Sequence, residues 1–145
     1  MRDMSDAALD RIRDFYQTMT PHSLAQIRTL YTADAYFKDP FNEVRGVDAI
    51  ERIFAHLFTQ VEAPRFIVRD ALRQGEQVFV TWDFLFRFRR FGHGERLIRG
   101  ASHLKLAADG KVAFHRDYWD AAEELYEELP LLGPLMRWLK RRARS

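Results

Sequence analysis

The sequence predicts an α+β fold, a curved antiparallel sheet with helices packed on one face, and three observations carry that prediction. Before Pro64 the apolar residues recur with a helical period; from Arg65 onward they follow the pattern of strands; and turn residues divide the second half into four runs. Helices that precede a long antiparallel sheet pack on one of its faces, and a large curved sheet leaves a cone between the layers where a ligand can sit.

The elements follow in order. Ser5 is placed to cap a first helix carrying Leu9, Ile12, Phe15, Tyr16 and Met19 on one side. Thr20 and Pro21, a cap followed by proline at the first helical position, open a short second helix through Leu24, Ile27, Leu30 and Tyr31. Ala35 to Lys38 reads as a short strand stopped by Asp39-Pro40. Gly46 precedes a third helix with Val47, Ile50, Ile53, Phe54, Leu57 and Phe58 on one side, closed by Pro64. Four strands follow: Arg65 to Arg73, Val78 to Arg90, Glu95 to Leu106 and Lys111 to Trp119. The last two are joined through Asp109-Gly110, a strong hairpin signal. Asp120 is placed to cap a helix through Leu125, Tyr126 and Leu129, which Pro130 stops, and Pro134 starts a last amphipathic segment.

At 145 residues, with 47% hydrophobic and 30% charged residues, the chain has the composition of one soluble globular domain. Residues 5–129 form its core and 130–145 a basic tail. The formal net charge is +2, but Arg137, Lys140, Arg141, Arg142 and Arg144 fall in the last nine residues, where there is no acid; subtracting those five leaves residues 1–136 at −3. The body lacks the basic excess of a nucleic-acid binder, so nucleic acid is not an expected partner. The absence of cysteine excludes disulfides and thiolate zinc sites, and with no signal-like apolar segment the expected location is the cytoplasm. The tail can lie on an anionic membrane, pack on a dimer partner or cover a cavity mouth; packing on its own domain is the default, and membrane contact is not expected.

Three aspartates stand out. On the second strand, Val78, Val80, Trp82, Phe84, Phe86 and Phe88 form one face, while Asp83 lies on the other between Thr81 and Leu85. If helices cover only the Asp83 face, the apolar face needs a second copy of the chain, hence an expected homodimer. On the last strand, alternation puts His115, Asp117 and Trp119 on one side. With Asp83 and Asp117 in one cavity, two carboxylates among aromatics would titrate apart, giving an acid and a base at neutral pH. Structural readings stand beside these: Asp83 paired with an arginine such as Arg99, Asp39 in an Asp-Pro turn, Asp120 as a cap. His103 and His115 sit on adjacent strands without a third ligand, so no metal is expected.

Phe15-Tyr16, the stretch Leu30 to Ala35 leading to Asp39-Pro40, Gly46 to Ile50 opening a helix, and Gly110-Lys111-Val112 before Arg116-Asp117-Tyr118-Trp119-Asp120 together resemble the nuclear transport factor-like superfamily, especially its SnoaL-like polyketide cyclase branch. The superfamily includes ketosteroid isomerase, limonene epoxide hydrolase, polyketide cyclases and non-catalytic members. The likeness to ketosteroid isomerase implies a base at Asp39, with its oxyanion donors replaced by Phe15 and Ser102; Tyr16 is adjacent but turned about 100° away on a helix. The likeness to limonene epoxide hydrolase implies a carboxylate pair at Asp83 and Asp117, with Thr81 in place of its arginine, and SnoaL-like cyclases also point to Asp117. The expectation is a protein that binds a hydrophobic small molecule, either a cofactor-independent acid/base enzyme using Asp117, Asp83 and Asp39 or a non-catalytic binding module. The expected pocket holds Phe15, Tyr16, Thr81, Ser102, His115 and Trp119.

Overall fold

Asp6, rather than Ser5, caps helix α1 (Ala7–Gln17): its carboxylate accepts from the backbone N–H of Ala8 at 3.1 Å and of Leu9 at 3.3 Å. The computed structural model describes residues 6–89, 94–124 and 132–144, so Ser5 lies outside it. A 3₁₀ turn over Ser23–Gln26 and a single turn α2 (Ile27–Leu30) lead into β1 (Tyr31–Lys38). The strand begins four residues before the expected Ala35. Tyr31 pairs with Val112, a contact remote in sequence that outweighs the local helical period.

A short β2 (Glu43–Arg45), helix α3 (Val47–Gln60), β3 (Val61–Gln74), β4 (Gln77–Phe88), β5 (Arg96–Leu106) and β6 (Val112–Tyr118) complete a six-stranded sheet in the order β2-β1-β6-β5-β4-β3. Neighbours are antiparallel except β1 and β6, which run parallel. Pro64 does not close α3. It lies inside β3, at an irregularity between Glu62 and Arg65 where Ala63 has φ 49°, and the edge position of that strand tolerates both. Gly110 turns the β5–β6 hairpin with φ 85°, as Asp-Gly predicts.

Helix α1 packs on β3, and α3 on β1 and β3. The side they cover is the one bearing Val78, Val80, Trp82, Phe84 and Phe86, all buried. The apolar face is therefore the inner face, and it asks for no second copy of the chain to cover it. The register carries the inner face across the sheet: Val80 pairs with Ser102, Ser102 with Asp117, and Leu104 with His115. Phe79, Thr81 and Asp83 point outward.

Asp120 accepts from Glu123 N–H at 3.0 Å and starts α4 (Ala121–Glu124). Leu125, Tyr126 and Leu129 lie outside the described residues. The tail forms helix α5 (Leu132–Ala143), but Leu135, Trp138 and Leu139 on it are 49%, 46% and 45% exposed, so these three side chains are not buried on the domain.

Candidate active site

Between the inner face of the sheet and helix α3 lies a cavity of about 960 Å³. Strand alternation supplies Trp82, Phe84 and Phe86 from β4, Phe37 enters from β1 and Phe66 from β3, and α3 adds Ile53, Phe54 and Leu57. The carboxylates on this wall are those of Asp117 and Asp39, while Arg52, His56 and Arg89 are exposed residues that also line it.

Asp117 ends a chain of buried polar side chains. Trp82 Nε1 donates to Ser102 Oγ at 2.9 Å, and Ser102 Oγ donates to Asp117 Oδ1 at 2.5 Å. His115 Nε2, also 2.5 Å from Oδ1, donates to the same oxygen, because a carboxylate can only accept. A neutral imidazole that donates from Nε2 accepts at Nδ1, and Tyr31 supplies the proton with its hydroxyl at 2.6 Å. Tyr16 Oη lies 3.1 Å from the same nitrogen and is hydrogen-bonded to the Tyr31 hydroxyl. Every donor in the chain is directed toward Asp117 Oδ1. Asp117 Oδ2 takes no hydrogen bond from the described residues.

Burial determines the state of the tyrosines. Loss of water raises the Tyr31 hydroxyl pKa far above that of a free phenol, with the nearby Asp117 charge adding to the rise. Tyr16 is raised chiefly by burial and then by Tyr31 and Asp117. Both stay protonated and act as donors.

The expected site residues divide between the two faces. Asp117, Ser102, His115 and Tyr16 belong to the inner polar chain, and Trp119 lines the cavity edge-to-face with Phe41, ring centres 5.6 Å apart. Asp83 does not meet Asp117. Its carboxylate accepts from Arg69 Nε at 2.8 Å and Nη2 at 2.6 Å on the outer face, and the Arg99 proposed as its partner pairs instead with Glu124. Thr81 is likewise outside, bonded through Oγ1 to Asp70, and contributes nothing to the cavity. Phe15 is half-buried against the edge of Tyr16 and does not line the cavity; Tyr16, Ser102 and His115, expected to line it, are buried behind its wall and reach it only through Asp117.

Asp39 reaches the cavity wall, yet its Oδ1 accepts from the backbone N–H of Phe41 at 2.8 Å and of Asn42 at 2.7 Å. That is an Asx turn, and Asn42 Nδ2 donates to Oδ1 at 3.1 Å and to Oδ2 at 3.2 Å, so both oxygens are engaged in holding the loop. His103 faces outward and stacks on Phe79 at 4.4 Å; loss of water lowers its pKa, and Lys105 lowers it further. His103 and His115 thus occupy opposite faces, and among the described residues no group of three His, Asp or Glu could hold a metal. Sequence reasoning assigned Tyr31 to an apolar helical stripe and missed its place in the chain. Its hydroxyl on an otherwise apolar face was the available signal.

Helices on one face of a curved six-stranded sheet, with a carboxylate in the space between, define the cone-shaped class of α+β domains. Residues 12–115 match the model of the SnoaL-like domain, and the chain belongs to that family. Asp117 falls just past the matched span. No protein of curated function matches the chain by sequence. Among solved structures, the chain is similar to a protein with a ketosteroid isomerase-like fold from Catenulispora acidiphila, in complex with trimethylamine (TM-score 0.71, 16% identity, covering 84% of this chain and 92% of that one). It is also similar to TerC co-crystallised with polyporic acid (TM-score 0.70, 17% identity, 81% and 95% covered). A third likeness is to an LEH-like epoxide hydrolase of M. tuberculosis (TM-score 0.66, 13% identity, 92% and 94% covered). At these identities the likeness establishes the fold.

Proposed function

We propose that the cavity binds a hydrophobic, ring-bearing small molecule in the cytoplasm and that Asp117 acts on it as a general acid/base. The observation that carries this reading is the asymmetry of the Asp117 carboxylate. Oδ1 is held by Ser102 and His115, while Oδ2 takes no hydrogen bond from the described residues, in a cavity walled by Phe37, Phe66, Trp82 and Phe84. Two donors to Oδ1 fix the group's orientation and leave Oδ2 available, so a bound C–H or water proton would meet a positioned base. The proton taken by Oδ2 is returned to the product, leaving the protein unchanged. Isomerase, cyclase and hydrolase chemistry all fit that step. The cavity suits flat apolar ligands, in keeping with the polyporic acid on TerC.

A ligand-binding module without catalysis is the second reading. It is favoured by the outward direction of Asp83 and the turn-bound carboxylate of Asp39, which leave Asp117 without a free acidic partner. Thermal-shift screening against cyclic ketones, lactones and epoxides, followed by turnover assays on the binders, separates the two. The Asp117→Asn variant should keep binding and lose roughly 100-fold or more in rate, the range for a positioned acid/base. Undiminished turnover would overturn the role of Asp117, and binders without any turnover would favour the module.

A further inference from the structure

We propose that helix α5 is an interfacial anchor that lays the domain on an anionic phospholipid surface. This stands apart from the reading of the cavity and rests on the helix alone. Leu135, Trp138 and Leu139 are spaced three and four residues apart, so they form one stripe, and each is about half exposed. A stripe meant to pack on the domain or cover the cavity mouth would be buried there, and this one is not.

The opposite side of the helix is charged with a single sign. Arg141 and Arg144 lie there by helical spacing, with no acid in the last nine residues. Arg142 falls on the apolar side, where its guanidinium lies 5.2 Å from the centre of the Trp138 ring. The stacking lays its methylene stem along the stripe and its charge over the indole.

That arrangement selects the partner. A nucleic acid would satisfy the cations but offers no apolar medium for Leu135 and Leu139. An uncharged apolar groove would take the stripe but not the charges of Arg141 and Arg144. A bilayer with acidic headgroups supplies both, an acyl boundary beneath the stripe and phosphates around the cations, and tryptophan favours that boundary. Twelve residues are too few to cross a bilayer, so the helix lies in its plane. Residues 1–136 carry −3, so the attraction belongs to the tail and orients the domain with α5 toward the lipid.

Co-sedimentation of the full chain with vesicles of phosphatidylcholine, with and without phosphatidylglycerol, tests the proposal. The wild-type chain should bind only the phosphatidylglycerol vesicles, and high salt should release it. Leu135→Ser/Trp138→Ser should weaken binding at least about tenfold with an unchanged melting temperature, and Arg141→Gln/Arg144→Gln should weaken it while keeping the stripe. Absence of binding to phosphatidylglycerol vesicles overturns the proposal, as does binding that Leu135→Ser/Trp138→Ser leaves intact. A fall of several degrees in melting temperature for that variant would show the stripe packed on the domain. Self-association lost in the same variant, without vesicle binding, would assign the surface to a second copy, and equal affinity for duplex DNA in both proteins would assign the cations to nucleic acid.

Discussion

The indole of Trp82 lies across Gly100, its partner in register on the next strand, so closely that a Cβ at that glycine would come within 2.4 Å of the ring. Glycine is required here by space. The ring's position over β5 is what brings Nε1 to 2.9 Å from Ser102 Oγ, and through Ser102 to Asp117.

Gly100→Ala should therefore displace the indole, break the Trp82–Ser102 hydrogen bond and destabilise the fold by about 1–3 kcal/mol, the usual range for overpacking a core. The melting temperature should fall by several degrees. A variant as stable as the wild type, with unshifted tryptophan fluorescence, would show that the ring has room to move.

The tyrosine pair sets a pH dependence. Both hydroxyls have pKa values raised by burial, so the unfolded chain releases their protons near pH 10 while the folded chain retains them. Their contribution to stability is undiminished below that pH and declines as pH rises beyond it, by about 1.4 kcal/mol per pH unit for each group. Tyr31→Phe should make the alkaline decline shallower, with Tyr16, 3.1 Å from His115 Nδ1, left to donate in its place. Urea midpoints measured on both proteins across the alkaline range check this; parallel declines would contradict it.

Asp83→Asn should change little. The Arg69–Asp83 pair lies on the outer face with Arg69 more than half exposed, and exposed pairs contribute about 0–1 kcal/mol. Turnover and ligand binding should match the wild type, in contrast to Asp117→Asn. A rate loss in the Asp83 variant comparable to that of Asp117→Asn would mean that the two carboxylates act together after all.

Ser102→Ala removes the acceptor of Trp82 Nε1 and one of the two donors to Asp117 Oδ1, leaving a buried indole N–H unsatisfied. The expected cost is about 1–3 kcal/mol. Ser102→Thr should restore most of it, since the hydroxyl is retained; chemical denaturation of the three proteins decides the point.

Local sequence suffices for the helical period of α1 and α3, the alternation along β4, β5 and β6, the Asp109-Gly110 turn and the Asp120 cap, each set by neighbours a few residues apart. The SnoaL-like resemblance was legible for the same reason, being a series of short motifs in order. Tertiary structure alone decided which side of the sheet the helices cover. Alternation separates Trp82 from Asp83 but assigns neither to the inside, and the register that aligns Asp117 with Ser102 and Val80 comes from pairing between distant strands. A shift of one residue would turn every side chain over, and so the expected Asp83–Asp117 pair gave way to a chain through Ser102, His115, Tyr31 and Tyr16. The rotation of α1 about its axis is likewise set by packing on β3, which turns Tyr16 inward and leaves Phe15 at its edge.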